Sequence, residues 1–496
     1  MLLDYAIAST NEYIEQMPKN ERKRYGQFFT SKATAIFMAE LFELPGNLES
    51  MCILDPGAGT GILSCALLER INQHSVIQSV KLRCYETDEK VLDILKENLE
   101  YYKQNVNFQL DYEIVKENYV TNQYQEFNDT MGNEGEAGKY DFIIANPPYK
   151  KIPKDAPEAV AMPKVCYGAP NLYFLFAAMS AFNLRPMGEM VYIIPRSWTS
   201  GAYFRAFREY FLSECKLKHI HLFISRDKVF DEESVLQETI IIKAQKSKIA
   251  PETVVVTSSS SSGDFNRSTN LQVPYNLVVS GKEKYVYLIT DEEELAALKK
   301  MNKWNYTLPD LGLKMKTGLT VDFRNRELLR NVPEEGAVPL FYSQHIKDGF
   351  VQFPINKENE YILTGQAGLR QDNKNYLFVK RFTAKEEKRR LQCGIYLSKR
   401  FPDYSQISTQ NKINFVDGFL SDLSECAVYG LYVLFNSTIY DMYYRILNGS
   451  TQVNSTEVNS MPVPDLETIQ KIGRRLMRSK DLSEENCDRI LEGYCG

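Results

Sequence analysis

The feature that most constrains the fold of this chain is a pair of prolines that ends an apolar run. Residues 140–145 read Tyr-Asp-Phe-Ile-Ile-Ala, and Asn-Pro-Pro-Tyr follows at 146–149. The apolar run is typical of a buried strand, and the prolines stop it because each lacks a backbone N–H and has a fixed φ. We therefore expect the turn at 146–149 to lie at the carboxyl end of a strand, where open α/β sheets bind ligands.

This turn combines an amide side chain, backbone carbonyls and an aromatic ring. Asn146 Oδ1 and the Pro147 carbonyl can accept hydrogen bonds from an amino group, and Tyr149 can stack on the ring that carries that group. Such a set suits an amino-substituted base or an amide. The alternative is a proline turn that ends a strand and has no chemical role.

Short β-rich runs alternate with helical patterns from about residue 30 to residue 245, which predicts a doubly wound, mainly parallel sheet of the α/β class. Strands are expected at 51–55, 80–86, 112–115, 140–145, 190–194, 219–224 and 239–244. Helices are expected at 61–72, 89–102, 171–182 and 203–212.

The composition changes after this region. We assign residues 1–250 to a first domain, the serine-rich stretch 251–275 to a linker or loop, and residues 276–496 to a second domain of α+β character. The second domain mixes short strands and turns with two helical patterns, near 383–397 and 465–479.

The composition also argues against several classes of protein. A net charge of −5 disfavours a uniformly basic nucleic-acid binder but is compatible with a local basic cleft. Nine cysteines without a Cys-x-x-Cys pair, and only four histidines, predict no metal site and no disulfide framework. His219 and His221 alternate on an expected strand, so we interpret them as structural. Because neither a signal peptide nor a membrane-spanning stretch is apparent, we expect a cytoplasmic protein without a membrane anchor.

A glycine-rich turn gives a second signal for ligand binding. Residues 55–61 read Asp-Pro-Gly-Ala-Gly-Thr-Gly, follow an expected strand and open a helix, whose N–H groups favour a carboxylate. The spacing is not the dinucleotide pattern Gly-x-Gly-x-x-Gly, because Ile62 occupies the last glycine position. A nucleoside–amino-acid ligand is therefore favoured over a pyrophosphate. Glu86, at the end of the next strand, can accept hydrogen bonds from both hydroxyls of a ribose.

Four elements, taken in order, resemble the amino-methyltransferase group of S-adenosylmethionine-dependent enzymes. They are Gly26-Gln-Phe-Phe-Thr30, Asp55–Gly61, Glu86 and Asn146–Tyr149. Their order, with a large C-terminal domain last, is similar to the gamma class of DNA adenine-N6 methyltransferases. Residues 317–324 and 448–454, before Met-Pro-Val-Pro at 461–464, resemble recognition-domain segments of PstI/BsuBI-type modification enzymes. The resemblance implies a seven-stranded methyltransferase sheet followed by a C-terminal α+β DNA-recognition domain.

The resemblance implies S-adenosylmethionine as the cofactor. Thr30 corresponds to the contact with its methionine part, Glu86 to the ribose ligand and Thr87 to the residue beside its adenine ring. Asn118 stands where an acid is typical, and its amide oxygen can still accept from the adenine amino group. The implied cofactor-binding set is Thr30, Asp55, Gly57, Ala58, Gly59, Gly61, Glu86, Thr87, Asn118, Tyr119, Asn146 and Pro148.

The resemblance also implies a reaction on double-stranded DNA. The target adenine is flipped out because its amino nitrogen is inaccessible within the stack. Asn146 and the Pro147 carbonyl hold the amino group, Tyr149 stacks on the base, and Phe230 resembles the aromatic residue on its other face. A core phenylalanine is the alternative for Phe230. The implied catalytic set is Asn146, Pro147, Pro148, Tyr149 and Phe230.

A basic run in the second half is a candidate for DNA contact. Residues 374–400 contain nine basic and two acidic residues. The alternative to phosphate contact is a solvated helix face. The candidates within this run are Lys380, Arg381, Lys388, Arg389 and Arg390.

Other functions share parts of this pattern. N4-cytosine methylation uses the same fold, but its turn usually begins with Ser, so Asn146 favours adenine. Cytosine-C5 methylation needs a cysteine that typically follows a proline, and the chain has no Pro-Cys dipeptide. A non-catalytic DNA-binding subunit that retains the fold is a further alternative. The favoured interpretation is the modification half of a restriction–modification system, with a cognate restriction endonuclease as a separate chain.

Overall fold

The computed structural model of the chain describes residues 2–16, 18, 30–46, 48–73, 76–129, 138–223, 239–384, 387–448 and 451–494. The chain divides into two compact units, Met1–Thr290 and Asp291–Gly496. No helix in the described part of the chain has the length and apolar character that crossing a bilayer requires.

The first unit is built on one large sheet. Its strands are β1 Ser50–Pro56, β2 Ser79–Tyr85, β3 Gln109–Val115, β4 Tyr140–Ala145, β5 Leu184–Pro195, β6 Cys215–Phe223, β7 Thr239–Lys246, β8 Thr253–Ser259 and β9 Thr269–Pro274. They lie in the order β3-β2-β1-β4-β5-β7-β6-β8-β9. β1 to β5 are parallel to their neighbours within that group, whereas β7 runs antiparallel between β5 and β6. The predicted mainly parallel α/β sheet is confirmed.

Helices connect these strands. They are α1 Leu2–Gln16, α2 Lys32–Glu40, α3 Ile62–Asn72, α4 Glu89–Asn105, α5 Tyr119–Asp129, α6 Pro157–Ala161, α7 Leu172–Asn183, α8 Arg205–Glu214 and α9 Tyr275–Val278. Apolar residues of α1 to α4 share one buried cluster with β1 and β2, while α7 packs on α5 and α8. A short hairpin, β10 Val279–Ser280 with β11 Tyr285–Val286, ends the unit.

The predicted linker at 251–275 is wrong, because this stretch forms β8 and β9. β8 pairs in parallel with β6 and antiparallel with β9, so the sheet has nine strands in the described residues instead of seven. Ser258 and Ser259 are buried with their hydroxyls hydrogen-bonded. The Ser258 hydroxyl bonds to that of Thr269 at 2.6 Å, and the Ser259 hydroxyl bonds to His221 Nε2 at 3.1 Å. The boundary between the two units therefore follows Thr290.

The second unit contains two sheets. Its strands are β12 Leu313–Thr317, β13 Leu329–Arg330, β14 Val338–Phe341, β15 Ile346–Lys347, β16 Phe350–Val351, β17 Tyr361–Ile362, β18 Gln371–Asp372, β19 Tyr376–Lys380, β20 Cys393–Tyr396, β21 Gln406–Thr409 and β22 Ile413–Gly418. One sheet has the order β12-β22-β19-β20-β16-β15, and the other has the order β13-β17-β14-β21-β18.

Six α-helices of the second unit lie in its described part. They are α10 Glu292–Met301, α11 Glu425–Asn436, α12 Thr438–Leu447, α13 Ser455–Ser460, α14 Leu466–Ser479 and α15 Glu484–Glu492. The helix predicted near 465–479 is confirmed as α14. The helix predicted near 383–397 is wrong, because Cys393 and Ile395 are buried in β20, which pairs antiparallel with β19.

Two glycines let α11 and α14 cross at backbone contact. A Cβ atom on Gly473 would lie 1.8 Å from the carbonyl oxygen of Cys426 and 2.7 Å from the Gly430 nitrogen. A Cβ atom on Gly430 would lie 2.0 Å from the carbonyl oxygen of Ile469. Any side chain at either position would therefore force the helices apart.

We expect Gly473→Ala to lower the free energy of unfolding by about 2 kcal/mol or more, because overpacking outweighs the better helix propensity of alanine. Chemical denaturation measures the loss. Gly368→Ala is the matched control in the same unit, since a Cβ atom there meets nothing within 4 Å. Equal stability of the two variants would contradict the proposed close crossing.

His219 and His221 join β6 to β8 by hydrogen bonds. His219 Nε2 and His221 Nδ1 each lie 2.8 Å from the Thr257 hydroxyl. Burial lowers the pKa of His219 to about 4 and that of His221 to about 3. Both imidazoles are therefore neutral in the folded chain near pH 7, in line with the structural role expected for them.

We expect this pair to make stability depend on pH. Both folded pKa values lie below the ordinary value of 6.5, so the unfolded chain binds more protons below that pH. The contribution of the two histidines to the free energy of unfolding is fully present above pH 6.5. For each histidine, it should fall by up to about 1.4 kcal/mol per pH unit as the pH drops towards 4. Urea titrations at several pH values measure the slope. A His219→Gln/His221→Gln variant should decline less steeply, and an unchanged slope would refute the assignment.

Candidate active site

A cavity of about 560 Å³ lies at the carboxyl ends of the parallel strands of the first unit. Its wall consists mainly of the segments that follow four of these strands. They are residues 57–60 after β1, 86–90 after β2, 117–119 after β3 and 146–148 after β4. The expected ligand site at this edge of the sheet thus has a physical counterpart.

The glycine turn after β1 is anchored to the next strand. The backbone nitrogens of Gly57 and Ala58 both donate to the carbonyl oxygen of Tyr85, at 2.8 and 2.9 Å. Gly57 has a φ of +81°, and a Cβ atom there would lie 3.4 Å from the Phe176 ring and 3.9 Å from Pro148. Glycine at this position therefore keeps space open between the two residues.

Glu86 is held against this turn by backbone donors. Its Oε2 accepts from Gly59 N at 2.8 Å, and its Oε1 accepts from Thr87 N at 2.7 Å and from Asp88 N at 2.8 Å. Burial raises the pKa of Glu86, and the three backbone hydrogen bonds oppose that rise. Because a carboxylate has about four acceptor positions, this one can also accept from a ligand hydroxyl.

Asp55 and Gly61 support the turn and do not line the cavity. Asp55 is buried and accepts a hydrogen bond of 2.6 Å from the Ser64 hydroxyl on α3. Burial raises the pKa of Asp55 to about 7. Gly61 precedes α3 with a φ of +84°, and a Cβ atom there would lie 2.7 Å from Leu95. Asp55 thus contacts α3 and Gly61 packs against α4 in this structure, while their predicted contact with the cofactor stays a prediction.

Aromatic residues form another part of the cavity wall. The ring of Tyr119 lies 5.0 Å from that of Tyr85 and 5.3 Å from that of Phe176, between centroids. The Tyr119 hydroxyl accepts from Asn183 Nδ2 at 2.9 Å, which fixes the ring. Tyr119 was predicted, whereas Tyr85 and Phe176 were not. Phe176 reaches the cavity from α7, a mostly apolar helix that is buried along its whole length, so its sequence does not indicate which side chain faces a ligand.

Asn118 lines the cavity, but its amide is already engaged. Its Oδ1 accepts from Val120 N at 3.0 Å and from Thr121 N at 3.2 Å, which caps the start of α5. Its Nδ2 donates to Glu158 at 2.9 Å. Both lone pairs of the oxygen are engaged in this structure, so the predicted hydrogen bond from the cofactor's adenine amino group would have to share or replace one of these bonds.

Asn146, Pro147 and Pro148 line the same cavity as Glu86. Asn146 Nδ2 donates to the Thr30 hydroxyl at 3.1 Å, a contact between residues far apart in the sequence that no local pattern predicts. Thr30 is buried and also lines the cavity. The amino-acceptor turn is thereby tied to the segment that precedes α2.

Tyr149 is packed beneath the turn. Its hydroxyl donates to the carbonyl oxygen of Ile193 at 2.9 Å, and its ring meets that of Tyr173 edge-on at 6.3 Å. Tyr149 is 8% exposed and is absent from the cavity wall. Phe230, predicted to face Tyr149 across the base, lies outside the described residues, as do residues 26–29.

The basic run at 380–390 does not form one charged face. Arg390 is 1% exposed, and its guanidinium donates to the Thr383 hydroxyl at 3.1 Å. Arg389 forms an ion pair of 2.7 Å with Glu484, which also pairs with exposed Lys388 at 3.1 Å. Burial of Arg390 argues against its predicted phosphate contact, and Arg389 is 11% exposed and paired with Glu484, so neither guanidinium is presented to a phosphate in this structure.

The other two candidates of the run also have protein partners. Lys380 Nζ donates to Gln392 at 2.8 Å, and Arg381 Nη1 donates to the carbonyl oxygen of Asn411 at 3.0 Å. Both residues are half-buried. The charge of the run therefore serves mainly to connect segments of the second unit.

Comparisons with known proteins identify the family. Residues 65–230 match the model of the Eco57I restriction-modification methylase. The solved structure of the type IIL restriction-modification enzyme MmeI in complex with DNA gives a TM-score of 0.49 at 11% identity, over 96% of this chain and 69% of that chain. The chain is 34% identical to the type II methyltransferase M.PstI of Providencia stuartii, over 92% of this chain and 90% of that protein.

A second relative is similar over almost the whole length. It is the type II methyltransferase M.BsuBI of Bacillus subtilis, 33% identical over 478 residues, which are 95% of this chain and 94% of that protein. The chain thus belongs to the type II methyltransferases of restriction–modification systems, for which S-adenosylmethionine is the methyl donor.

Proposed function

We propose that this chain methylates the N6 amino group of adenine in double-stranded DNA, as the modification enzyme of a restriction–modification system. The observation that carries the proposal is the shared cavity. Asn146, Pro147 and Pro148 lie on its wall together with Glu86 and the glycine turn. A methyl donor bound at the turn and an amino group held by Asn146 would therefore occupy adjoining parts of one cavity.

The donor side of the cavity suits S-adenosylmethionine. A volume of about 560 Å³ is within the usual range for a small-molecule site. The gap beside Gly57, which a Cβ atom would narrow, leaves room for a ligand against the backbone. We assign one ribose hydroxyl to the acceptor position of Glu86 that its three backbone donors leave open, and the methionine part to the side of Thr30. When bound, S-adenosylmethionine supplies an electrophilic methyl group on a sulfonium centre.

The acceptor side suits an exocyclic amino group. Asn146 Oδ1 and the Pro147 carbonyl are hydrogen-bond acceptors, and a proline-rich corner at the end of a buried strand holds them in place. Two acceptors that bind both amino protons direct the nitrogen lone pair away from the ring and towards the donor side. Rate acceleration then comes from positioning and electrostatics, without a strong general base.

Thr30 supports this arrangement from the opposite side of Asn146. Its hydroxyl bonds to Asn146 Nδ2, so the oxygen of the same amide faces another direction. We assign that oxygen to the amino group of the target base. Tyr149 lies beneath the turn and anchors it to β5 through its hydroxyl.

Sequencing of modified bases in DNA from cells that express the chain tests the proposal. We expect N6-methyladenine at one position of a recurring sequence. N4-methylcytosine at a recurring sequence would assign the alternative substrate to the same cavity. DNA without either modification, from cells that contain the folded protein, would refute the proposal.

We expect Asn146→Ala to reduce methyl transfer by at least about 100-fold, because one of the two acceptors for the amino group is lost. Cofactor affinity should stay within about threefold, since the donor side is unchanged. Single-turnover transfer of a radiolabelled methyl group and calorimetric titration with S-adenosylmethionine measure the two quantities. Asn105→Ala, at the exposed end of α4, is the control, and wild-type turnover by Asn146→Ala would contradict the assignment.

We expect Gly57→Ala to weaken S-adenosylmethionine binding by at least about tenfold, because the methyl group narrows the gap between Phe176 and Pro148. Gly59→Ala is a matched control in the same turn. Gly59 also has a positive φ, of +56°, but a Cβ atom there meets nothing within 4 Å. Calorimetry on both variants separates backbone strain from lost space. Equal losses would attribute the effect to backbone strain and contradict the role assigned to the space beside Gly57.

A further inference from the structure

The second unit exposes a phenylalanine on a backbone that is tightly held. Phe382 follows β19 and is 50% exposed. Before it, Arg381 N donates to the carbonyl oxygen of Lys412 at 2.9 Å, and the Arg381 carbonyl accepts from Val453 N at 2.7 Å. After it, Thr383 is buried. Both neighbours are therefore fixed, and the ring of Phe382 is presented to solvent on a rigid backbone.

Polar and cationic groups surround this ring. The Arg381 guanidinium lies 5.6 Å from the centroid of the Phe382 ring, and the backbone of Phe382 forms a β-bridge with Gln452. With its amide oxygen turned towards the guanidinium, Gln452 accepts from Arg381 Nε at 3.1 Å and from Nη2 at 2.7 Å. Arg381 also donates to the Asn411 carbonyl, and Lys412 is exposed. We call these five residues, Arg381, Phe382, Asn411, Lys412 and Gln452, the Phe382 ridge.

The Phe382 ridge is where two distant sequence segments meet. The first segment, residues 317–324, contains Thr320, and the second, residues 448–454, contains Gln452. Asn411 N donates to the carbonyl oxygen of Thr320 at 2.8 Å, and Gln452 is itself part of the ridge. Both segments thus converge beside the exposed ring, although more than a hundred residues separate them in the chain.

We propose that the Phe382 ridge contacts DNA, with Phe382 against the bases and Lys412 against the phosphates. The inference rests on the proposed function, which requires the chain to bind a duplex. Rigid exposure of a large apolar ring is unfavourable in water, so a partner that covers it gains free energy. Aromatic, amide and cationic groups together complement base edges and an anionic backbone. Apolar side chains also insert between base steps in several DNA-binding proteins.

The fixed positions of the amide and guanidinium groups of the Phe382 ridge lead to a second expectation, about discrimination between DNA sequences. Arg381 is held by Gln452 and Asn411, so its position is fixed before any partner binds. A pre-positioned ring beside fixed polar groups favours one arrangement of the duplex over others, because little side-chain entropy is lost on binding. Phe382 should therefore contribute to discrimination between sequences, whereas Lys412 should contribute to affinity for any duplex.

The test compares Phe382→Ala with Phe419→Ala. Phe419 is 52% exposed and follows the far end of β22, the strand that begins beside Lys412, so it is a matched control in the same unit. Fluorescence anisotropy gives the Kd of each variant, with cofactor present and salt fixed, for a duplex that contains the methylated sequence and for an unrelated duplex of equal length. Thermal denaturation checks that both variants are folded.

We expect Phe382→Ala to bind the methylated-sequence duplex at least about tenfold more weakly and the unrelated duplex within about twofold of wild type. Phe382→Leu, which keeps an apolar contact, should lie between wild type and Phe382→Ala. Phe419→Ala should match wild type on both duplexes. Lys412→Ala should weaken binding to both duplexes by the same factor. It should also reduce the slope of log affinity against log salt concentration by about one.

If folded Phe382→Ala binds both duplexes as tightly as the wild-type chain does, the inference is overturned, and the Phe382 ridge would be assigned to a protein partner instead of DNA. Equal losses in Phe382→Ala and Phe419→Ala would overturn it as well. In each of these cases, adenine methylation by the wild-type chain would leave the proposed function intact. Failure of the wild-type chain to bind or methylate any duplex would instead refute the proposed function itself.

Discussion

Strand β4 and the diproline corner that ends it hold one side of the cavity that we propose as the active site. All six residues of β4 are buried, and the strand is hydrogen-bonded between β1 and β5. The corner cannot move without disturbing the centre of the sheet. Asn146 and the Pro147 carbonyl are therefore rigid acceptors, and such preorganised groups are effective in catalysis because they need no rearrangement during the reaction.

The donor side of the cavity is rigid for a different reason. Backbone N–H groups hold the Glu86 carboxylate, and backbone hydrogen bonds to Tyr85 hold the start of the glycine turn. Gly59 N bonds to the Glu86 carboxylate, and the turn bonds to the last residue of β2, so the two elements fix each other. A cofactor bound there would meet a wall that is already formed. The fold thus supplies two prebuilt half-sites whose separation is set by neighbouring strands of one sheet.

Sequence predicted the parts of the site that depend on strand ends. Glu86, Gly57 and Asn146 lie on one cavity wall, as expected from a parallel topology that brings the carboxyl ends of strands together, and their chemical roles stay proposals. Phe176 and the bond between Thr30 and Asn146 were missed, since both depend on tertiary packing between distant segments. The predicted contact of the Asn118 oxygen with the cofactor did not take into account that this oxygen caps the start of α5.

Two regional predictions failed because composition does not specify the path of the backbone. The serine-rich stretch at 251–275 suggested a linker, but its hydroxyls pair with His221 and Thr269, and its valines fill the sheet. The basic run at 380–390 suggested contact with DNA phosphates, but Arg390 is buried and Arg389 is paired with Glu484. The exposed ring of Phe382 within that same run was overlooked because its exposure follows from the fold alone.

A crystal structure of the chain with a duplex and a non-reactive cofactor analogue would show whether the diproline corner holds the amino group of the target base. The measured quantity is the distance from the exocyclic nitrogen of the flipped base to Asn146 Oδ1 and to the Pro147 carbonyl oxygen. We expect the flipped base to be an adenine, with both distances at or below about 3.2 Å and the cofactor analogue bound beside Gly57 and Glu86. An adenine amino group held by other residues, or a cofactor seated on the diproline corner, would contradict it.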